Sequence, residues 1–491
     1  MKRAYHSMQL ASLVAGAGLA LGGCAAGPDF KPPAAPGTDN YARGPLPPTV
    51  SAPGAGGASQ HFVVGQDVLA AWWESFGSAP LNGLIEQAFR ANPNVAAAKA
   101  ALREAQESTA AQRAAFFPTL SASYSPSRQR QGTGTISPNL SSGENPYTLH
   151  TAQLEISYAP DVFGLNRRTV ASLAAQEEAE RYQLQATYLT LAANVALAAI
   201  QEASLRAQLA STQEMIEAET RLIKLIQSEA ALGYASGLDL AQQQAALAQA
   251  RQNLPPLVKQ LEQSRNLLAV LTGRLPSQAA NADLDFDLDK LQLPEALPLS
   301  LPSRLVERRP DVRAAQAQWQ AASASVGIAI ANRLPQFSLS AAYGGNATSF
   351  GQMFASDNLF WNLTGNVAQT LFDAGLLKHR QRAAEAALDG AAAQYRATTL
   401  SAFQNVADTL YAIEQDAEAL RAAVDAEAAT RKTFDLTRKQ VELGGASMLA
   451  VLNAEQSYLQ ARVTRVQAQA ARYADTVGLF QALGGGWQKQ P

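Results

Sequence analysis

The chain reads twice. The stretch from Asn92-Pro93-Asn94-Val95 to Phe117-Pro118-Thr119-Leu120-Ser121-Ala122-Ser123 is echoed by Arg309-Pro310-Asp311-Val312 to Leu334-Pro335-Gln336-Phe337-Ser338-Leu339-Ser340. The two prolines keep the same separation in both copies, so the match needs no gap. Further on, Leu232-Gly233-Tyr234-Ala235-Ser236-Gly237-Leu238 is matched by Leu443-Gly444-Gly445-Ala446-Ser447-Met448-Leu449. A unit of roughly two hundred residues is too long for a solenoid, whose repeats are roughly 20–50 residues. It implies a duplicated half-structure about a pseudo-symmetry axis, each half running helix, Pro-led strands, long helix, Gly-containing turn and returning helix. The halves fall at 61–272 and 305–486, joined by a linker at 273–304 and followed by a short tail at 487–491.

Each half carries two runs of period-two alternation. Leu120, Ala122 and Tyr124 alternate with serines, and Leu154, Ile156 and Tyr158 alternate with Glu155 and Ser157. Phe337, Leu339 and Ala341 follow the same rule, as do Leu359, Trp361, Leu363, Gly365 and Val367. An apolar face backed by a small polar face suits a membrane barrel strand, and it suits an ordinary sandwich as well. The hairpins are expected at about 117–163 and 334–373. No apolar run approaches the roughly 20 residues that a spanning helix needs; Leu191 to Ile200 comes nearest and carries Asn194. A membrane passage by this chain therefore uses strands. Four strands cannot close a barrel, whose smallest single-chain form has about eight, and an open edge in lipid leaves backbone groups unpaired. The membrane reading thus requires oligomerisation, and the arithmetic alone accepts several copy numbers.

The helices are long. From Arg167 to Leu232 there is neither Pro nor Gly, and the second copy from Leu377 to Leu443 is interrupted only by Gly390. At 1.5 Å per residue such a helix spans on the order of 100 Å, more than a compact domain holds. Phe403, Val406, Leu410, Ile413, Ala417, Leu420 and Val424 alternate spacings of three and four, the seam of a coiled coil. The last helix repeats the pattern from Leu452 through Gln456, Leu459, Val463, Val466, Ala470, Tyr473 and Val477 to Phe480.

The N-terminus is a targeting segment. Lys2-Arg3 precede an apolar stretch from Leu10 to Gly22, which closes on Leu21-Gly22-Gly23-Cys24. That pattern resembles a bacterial lipoprotein signal, with 1–23 removed and Cys24 carrying S-diacylglycerol and N-palmitoyl groups; an ordinary signal peptide with an incidental cysteine is the alternative. The residue after it is Ala25 rather than Asp, which implies sorting to the outer membrane. Residues 24–60 are rich in Pro, Gly and Ala and read as an extended tether, with order beginning near Trp72-Trp73. Cys24 is the one cysteine, so no disulfide forms within the chain. A net charge of −2 with interspersed signs gives no footprint for nucleic acid. His6, His61, His150 and His379 lack metal spacing, and no nucleophile elbow or phosphate loop is present, so neither an enzyme nor a cofactor other than the Cys24 lipid is expected.

Several motifs together carry a family resemblance over nearly the whole mature chain: Gly27-Pro28-Asp29-Phe30-Lys31-Pro32-Pro33, Trp72-Trp73, Leu301-Pro302-Ser303-Arg304-Leu305-Val306-Glu307-Arg308-Arg309-Pro310-Asp311-Val312, and the run from Gly327 to Gly344. The chain resembles the TolC-like outer-membrane factors of tripartite efflux systems, in their NodT-type lipoprotein branch. The resemblance implies a mixed α and β membrane protein: a homotrimer with a twelve-stranded outer-membrane β-barrel, four strands per chain, continuing into a coiled-coil helical tunnel in the periplasm. A belt drawn from 274–302 and the C-terminal segment would surround the tunnel. The implied partners are a periplasmic adapter, an inner-membrane pump of the RND type and outer-membrane lipid. Adapter docking would fall on the two turns, at Gly233, Ser236, Gly237, Leu238, Gly444, Gly445 and Ser447. The periplasmic gate of the family maps onto Leu449, Asn453 and Gln456. The last two are neutral where the family usually has an acid and a base, so closure here is expected to rest on apolar packing and amide hydrogen bonds and to depend weakly on pH. The implied function is a passive exit duct for small molecules. A duct for a protein-secretion pump and a lipid-anchored periplasmic scaffold without a channel are the alternatives.

Overall fold

A computed structural model of the chain describes residues 25–34, 37, 38, 40, 41, 44, 46–130, 146–278 and 286–485. Cys24 with the signal segment, the tail 487–491 and most of the loop 126–146 lie outside these residues. In chain order the regular elements are β1 (His61–Val64), α1 (Ala79–Ala91), α2 (Pro93–Arg113), β2 (Thr119–Gln129), β3 (Tyr147–Tyr158), α3 (Leu165–Ala231), α4 (Gly237–Leu271), β4 (Ala296–Leu299), α5 (Pro302–Arg308), α6 (Pro310–Ala331), β5 (Gln336–Ala347), β6 (Leu359–Ala368), α7 (Leu376–Glu442) and α8 (Met448–Ala482). Lengths match in pairs: α3 and α7 have 67 residues each, and α4 and α8 have 35 each. Gly390 does not interrupt α7, since one glycine costs only about 1 kcal/mol against the hydrogen bonds on either side of it. Pro255 and Pro256 likewise sit inside α4.

Contacts divide the described residues into two compact units, the first drawn from 1–32, 103–179 and 316–394 and the second from 33–102, 180–315 and 395–491. The first unit is organised by an antiparallel sheet in the order β2-β3-β5-β6. Its register sorts the side chains into two faces. Leu120 stands opposite Ile156, Ile156 opposite Ala341, and Ala341 opposite Leu363; the next row of that face is Ala122, Leu154, Tyr343 and Trp361. The other face carries Ser121, Glu155, Ala342 and Asn362. The apolar face is exposed along its length, from Leu120 and Tyr124 to Trp361 and Leu363. Both 67-residue helices start with an aspartate that accepts two backbone N–H groups: Asp161 from Asn166 and Arg167, and Asp373 from Gly375 and Leu377.

The Gly27 motif has its physical reason in this unit. Gly27 (φ +89°) lies so close to Gly327 of α6 that a Cβ on it would stand 2.5 Å from the Gly327 Cα. Arg168 donates to the carbonyls of Ala26 and Gly27 and pairs with Asp29 at 2.9 Å. Phe30 meets Trp319 edge to face, with centroids 5.2 Å apart.

In the second unit α3 lies between α4 and α8. Ser264 of α4 donates to the Ala198 carbonyl, and Arg265 pairs with Glu202, buried in α3. On the other side Arg462 of α8 pairs with Glu214 at 2.6 Å, and Arg465 ties α8 to Glu427 of α7. Val406, Leu410, Ile413, Ala417 and Leu420 are buried, as their spacing requires.

The segment before Trp72 differs from a free tether. Strand β1 pairs in parallel with β4, and the fully buried Arg472 of α8 donates to the carbonyls of Gly56 and Ala58 and to Thr49 Oγ1. Gln60 adds bonds to Pro294 and Thr476. A buried guanidinium needs acceptors, and a run of small residues without side-chain bulk offers its carbonyls at close range. Trp72 packs on Phe480 and Phe76 on Tyr473, which explains the Trp72-Trp73 motif as the anchor of this region on α8.

The Arg309-Pro310-Asp311 motif closes helix ends. Arg309 makes a two-pronged bond to Asp311 (3.0 and 2.7 Å) and donates to the Ala482 carbonyl at the end of α8 (2.9 Å). Asn92 holds the corresponding place before α2, donating to the Leu271 carbonyl at the end of α4 (2.9 Å). Replacing Arg309 by alanine strands the Ala482 carbonyl at the end of α8 and leaves Asp311 without its guanidinium partner. We expect a loss of about 3 kcal/mol, read as a lower thermal midpoint of the solubilised protein, with Arg309→Lys recovering only part because an ammonium lacks the fork.

Candidate functional site

Two helix hairpins end in exposed turns. In the first, α3 stops at Ala231 and Gly233 takes φ +74°, while Tyr234 N–H reaches back to the Glu229 carbonyl. Ser236 then caps α4 in a reciprocal box: Asp239 N–H donates to Ser236 Oγ, and Ser236 N–H donates to the Asp239 carboxylate. The Ser236 hydroxyl also donates to that carboxylate at 2.7 Å, and this bond first, with the backbone one second, holds Asp239 below the usual carboxylate range. In the second turn Gly444 takes φ +72° and Gly445 N–H donates to the Gln440 carbonyl, with Ser447 capping α8 by accepting from Ala450 N–H. Gly233 and Gly444 are thus the positions where the left-handed conformation demands glycine. Gly237 and Gly445, the other glycines of the two turns, lack positive φ; Gly237 is the first residue of α4. The turns present large apolar side chains to solvent: Leu232 at 72 %, Tyr234 at 83 %, Leu443 at 87 % and Leu238 at 67 % exposure.

Leu449, Asn453 and Gln456 fall at spacings of four and three, so they form one stripe on the first turns of α8. Leu449 and Asn453 are exposed and Gln456 is half-buried. Charge is nonetheless present beside the stripe. Glu455, between the two amides in sequence, pairs with Arg221 of α3 at 3.2 Å. Glu219, two residues before Arg221, is buried and accepts from the Gln243 side chain of α4. Around it Met215, Ala218, Ala250 and Leu459 form an apolar cluster flanked by Ile216 and Tyr458. Burial first, and the Glu455 carboxylate second, push the Glu219 carboxyl above the usual range. The sequence reading missed these groups, although a carboxylate inside the buried stripe Met215, Ala218, Leu222 and Ile226 was the available signal.

Comparison with known proteins fits this arrangement. The profile of the outer membrane efflux protein family matches residues 84–274 and 301–485. The chain belongs to that family. It is 33 % identical over 454 residues to a pyoverdine export outer membrane protein of Pseudomonas putida, covering 90 % of this chain and 94 % of that one. Against the toluene efflux pump outer membrane protein of another Pseudomonas putida strain it is 30 % identical over 482 residues, covering 96 % and 94 %. Among solved structures, the outer-membrane channel OprN superposes with a TM-score of 0.82 at 27 % identity, covering 95 % of this chain and all of that one. The open state of the Neisseria gonorrhoeae MtrE channel gives 0.79 at 25 % identity, covering 94 % and 99 %. This efflux protein is an outer-membrane channel component of a tripartite efflux system. No helix among its described residues is long and apolar enough to cross a membrane, which leaves strands unaddressed. The matched stretches include both turns and the α8 stripe, whereas Cys24 lies outside them and outside the described residues.

In this efflux protein the contact among α3, α4 and α8 therefore holds a buried carboxyl beside its apolar and amide groups. A carboxyl whose folded pKa is raised contributes stability that is full below its unfolded pKa and is lost as pH rises through the folded value. The contact among α3, α4 and α8 should therefore loosen as pH rises from the ordinary glutamate range towards neutrality. Glu219→Gln keeps a group able to bond Gln243 and removes the titration. We expect thermal midpoints of the parent to fall with rising pH more steeply than those of the variant over the same series; parallel curves would exclude Glu219 as the source.

Proposed function

We propose that three copies of this chain close their four-stranded sheets into a twelve-stranded outer-membrane barrel, with the paired long helices continuing as a tunnel through the periplasm. The observation that carries this reading is the sheet β2-β3-β5-β6, with an exposed apolar face, a polar face behind it and an open edge at each side. In lipid those edges must be paired, and four strands from each of three chains make an even-numbered barrel of ordinary size. The two halves of the chain then stand in quasi-equivalent places, as the matched lengths of α3 with α7 and α4 with α8 support. Cys24 carries the lipid that fixes the N-terminus to the same membrane.

The tunnel is a passive exit for small molecules. The cargoes in the names of the two relatives, pyoverdine and toluene, share no single chemistry, so a wide path with selection elsewhere suits them both. An RND-type pump in the inner membrane loads it through a periplasmic adapter, and the adapter docks on the two turns, whose exposed Leu232, Tyr234, Leu238 and Leu443 offer apolar knobs at a fixed spacing. Leu449, Asn453 and Gln456 line the constriction behind them. Nothing in the described residues favours the protein-secretion duct over this reading, and the two-faced sheet has no place in a scaffold without a channel.

The test is cross-linking in cells from Ser447→Cys, in the second turn. We expect capture of a periplasmic adapter, together with heat-modifiable trimers on gels. Capture of this chain's own copies alone, with correct outer-membrane placement, would overturn the docking assignment. Loss of the trimer under native conditions would overturn the barrel.

A further inference from the structure

A groove of about 880 Å³ runs between α3, α4 and α8 in the second unit, and none of its lining residues is charged or aromatic. Charged residues make up 16 % of the chain, and Glu202, Arg206 and Arg265 lie on the same stretches of these helices, so the absence over this wall is selective. The floor is small and apolar, with Ala198, Ala470 and Ala474 among its residues. The rim is amide. Asn194, Gln201 and Gln208 recur every seven residues along α3, Gln260 and Gln263 face them from α4, and Gln467 does so from α8. Gln467 donates to Gln208 Oε1 at 2.8 Å and Gln208 to Ser204 Oγ at 3.0 Å, so the deepest pair is fixed in place. Asn194, Gln201, Gln260 and Gln263 are exposed.

The opposite side of α3 is occupied. Ala203, Arg206 and Ser211 turn towards the segment 286–289, where Arg206 donates to the Phe286 carbonyl. The groove is therefore the side of α3 that the described residues of this chain leave open. A second copy packed tightly into it would have to bury several exposed amides, each losing its water partners unless that copy supplied a matching donor or acceptor. Water and solutes meet them at no such cost.

We infer that this groove is a solute-contact stretch of the conduit wall, which takes uncharged small molecules that donate and accept hydrogen bonds and does not discriminate ions by sign. The inference rests on the duct reading above. An amide both donates and accepts, so it meets hydroxyl, amide and carbonyl groups alike. A wall without fixed charge neither concentrates nor excludes an ion of either sign, in contrast to rings of acidic or basic side chains.

The measurement is single-channel recording of the full-length protein in planar bilayers. Gln201 is exposed, so charge there is tolerated by the fold. Gln201→Glu should raise the cation-to-anion permeability ratio, and Gln201→Lys should lower it, each by about twofold or more relative to the parent. Current blockades by raffinose, an uncharged trisaccharide, should shorten about threefold when Gln201 and Gln263 are both replaced by leucine. Permeability ratios and blockades equal to those of the parent in all three variants would place the groove off the solute path and overturn the inference. Loss of assembly in both charge variants would instead mark it as a contact between copies and overturn it equally. A parent protein that inserts as an oligomer but conducts nothing would overturn the duct reading itself.

Discussion

Strands β2 and β6 carry the constraint from which much of this chain's design follows. Each pairs with a single neighbour, so the sheet presents a row of backbone donors and acceptors at either edge, next to a face of exposed leucine, tyrosine and tryptophan. In water such a sheet would invite edge-to-edge aggregation. In lipid its apolar face is in the right solvent, and only the edges remain to be satisfied. Four strands are too few to close on one another, so in lipid the edges need strands from another chain.

The last helix, α8, organises the second unit. One side of it holds Arg472, Tyr473 and Thr476, which draw in the loops before Trp72 and before α5 through carbonyl acceptors. Next to them Asp475 is pushed up to about 7 by burial, by the Asp416 carboxylate of α7 and by the hydrogen bond between the two. Arg472 thus sits among carbonyl and hydroxyl acceptors close to this buried carboxyl pair. Nearer the turns, the same helix meets α3 through Glu455 and Arg221 and covers the buried Glu219. Its C-terminal part thus holds these loops, and its N-terminal part packs on α3 through an ion pair and a buried carboxyl.

The motifs legible in the sequence turn out to be places of close backbone approach or buried charge. Gly27 and Gly327 are far apart in sequence and meet with no space for a side chain. Arg309 and Asn92, each just before a proline, close the ends of α8 and α4 with side-chain donors. Strand alternation and the three-four spacing of α7 were equally readable, because each depends only on local geometry. What escaped was long-range partnering of short segments. Residues 46–60 have a tether's composition, yet Arg472, more than four hundred residues later, holds them in place. Which glycine of each turn takes the left-handed conformation was not legible either, since a turn needs only one such residue and the cap geometry decides which.

By itself the sequence determined the strand faces, the long uninterrupted helices, the two turns and the family, because periodicity, helix propensity and chain reversal are properties of neighbouring residues. Only the tertiary structure decided which charges are buried and with whom. Glu219 beside Gln243, Glu455 on Arg221, Arg472 on three acceptors and the uncharged wall of Asn194, Gln201 and Gln263 all arise where separate helices and loops are brought side by side. Desolvation depends on what covers a group, and in this chain the covering residues come from elsewhere in the sequence.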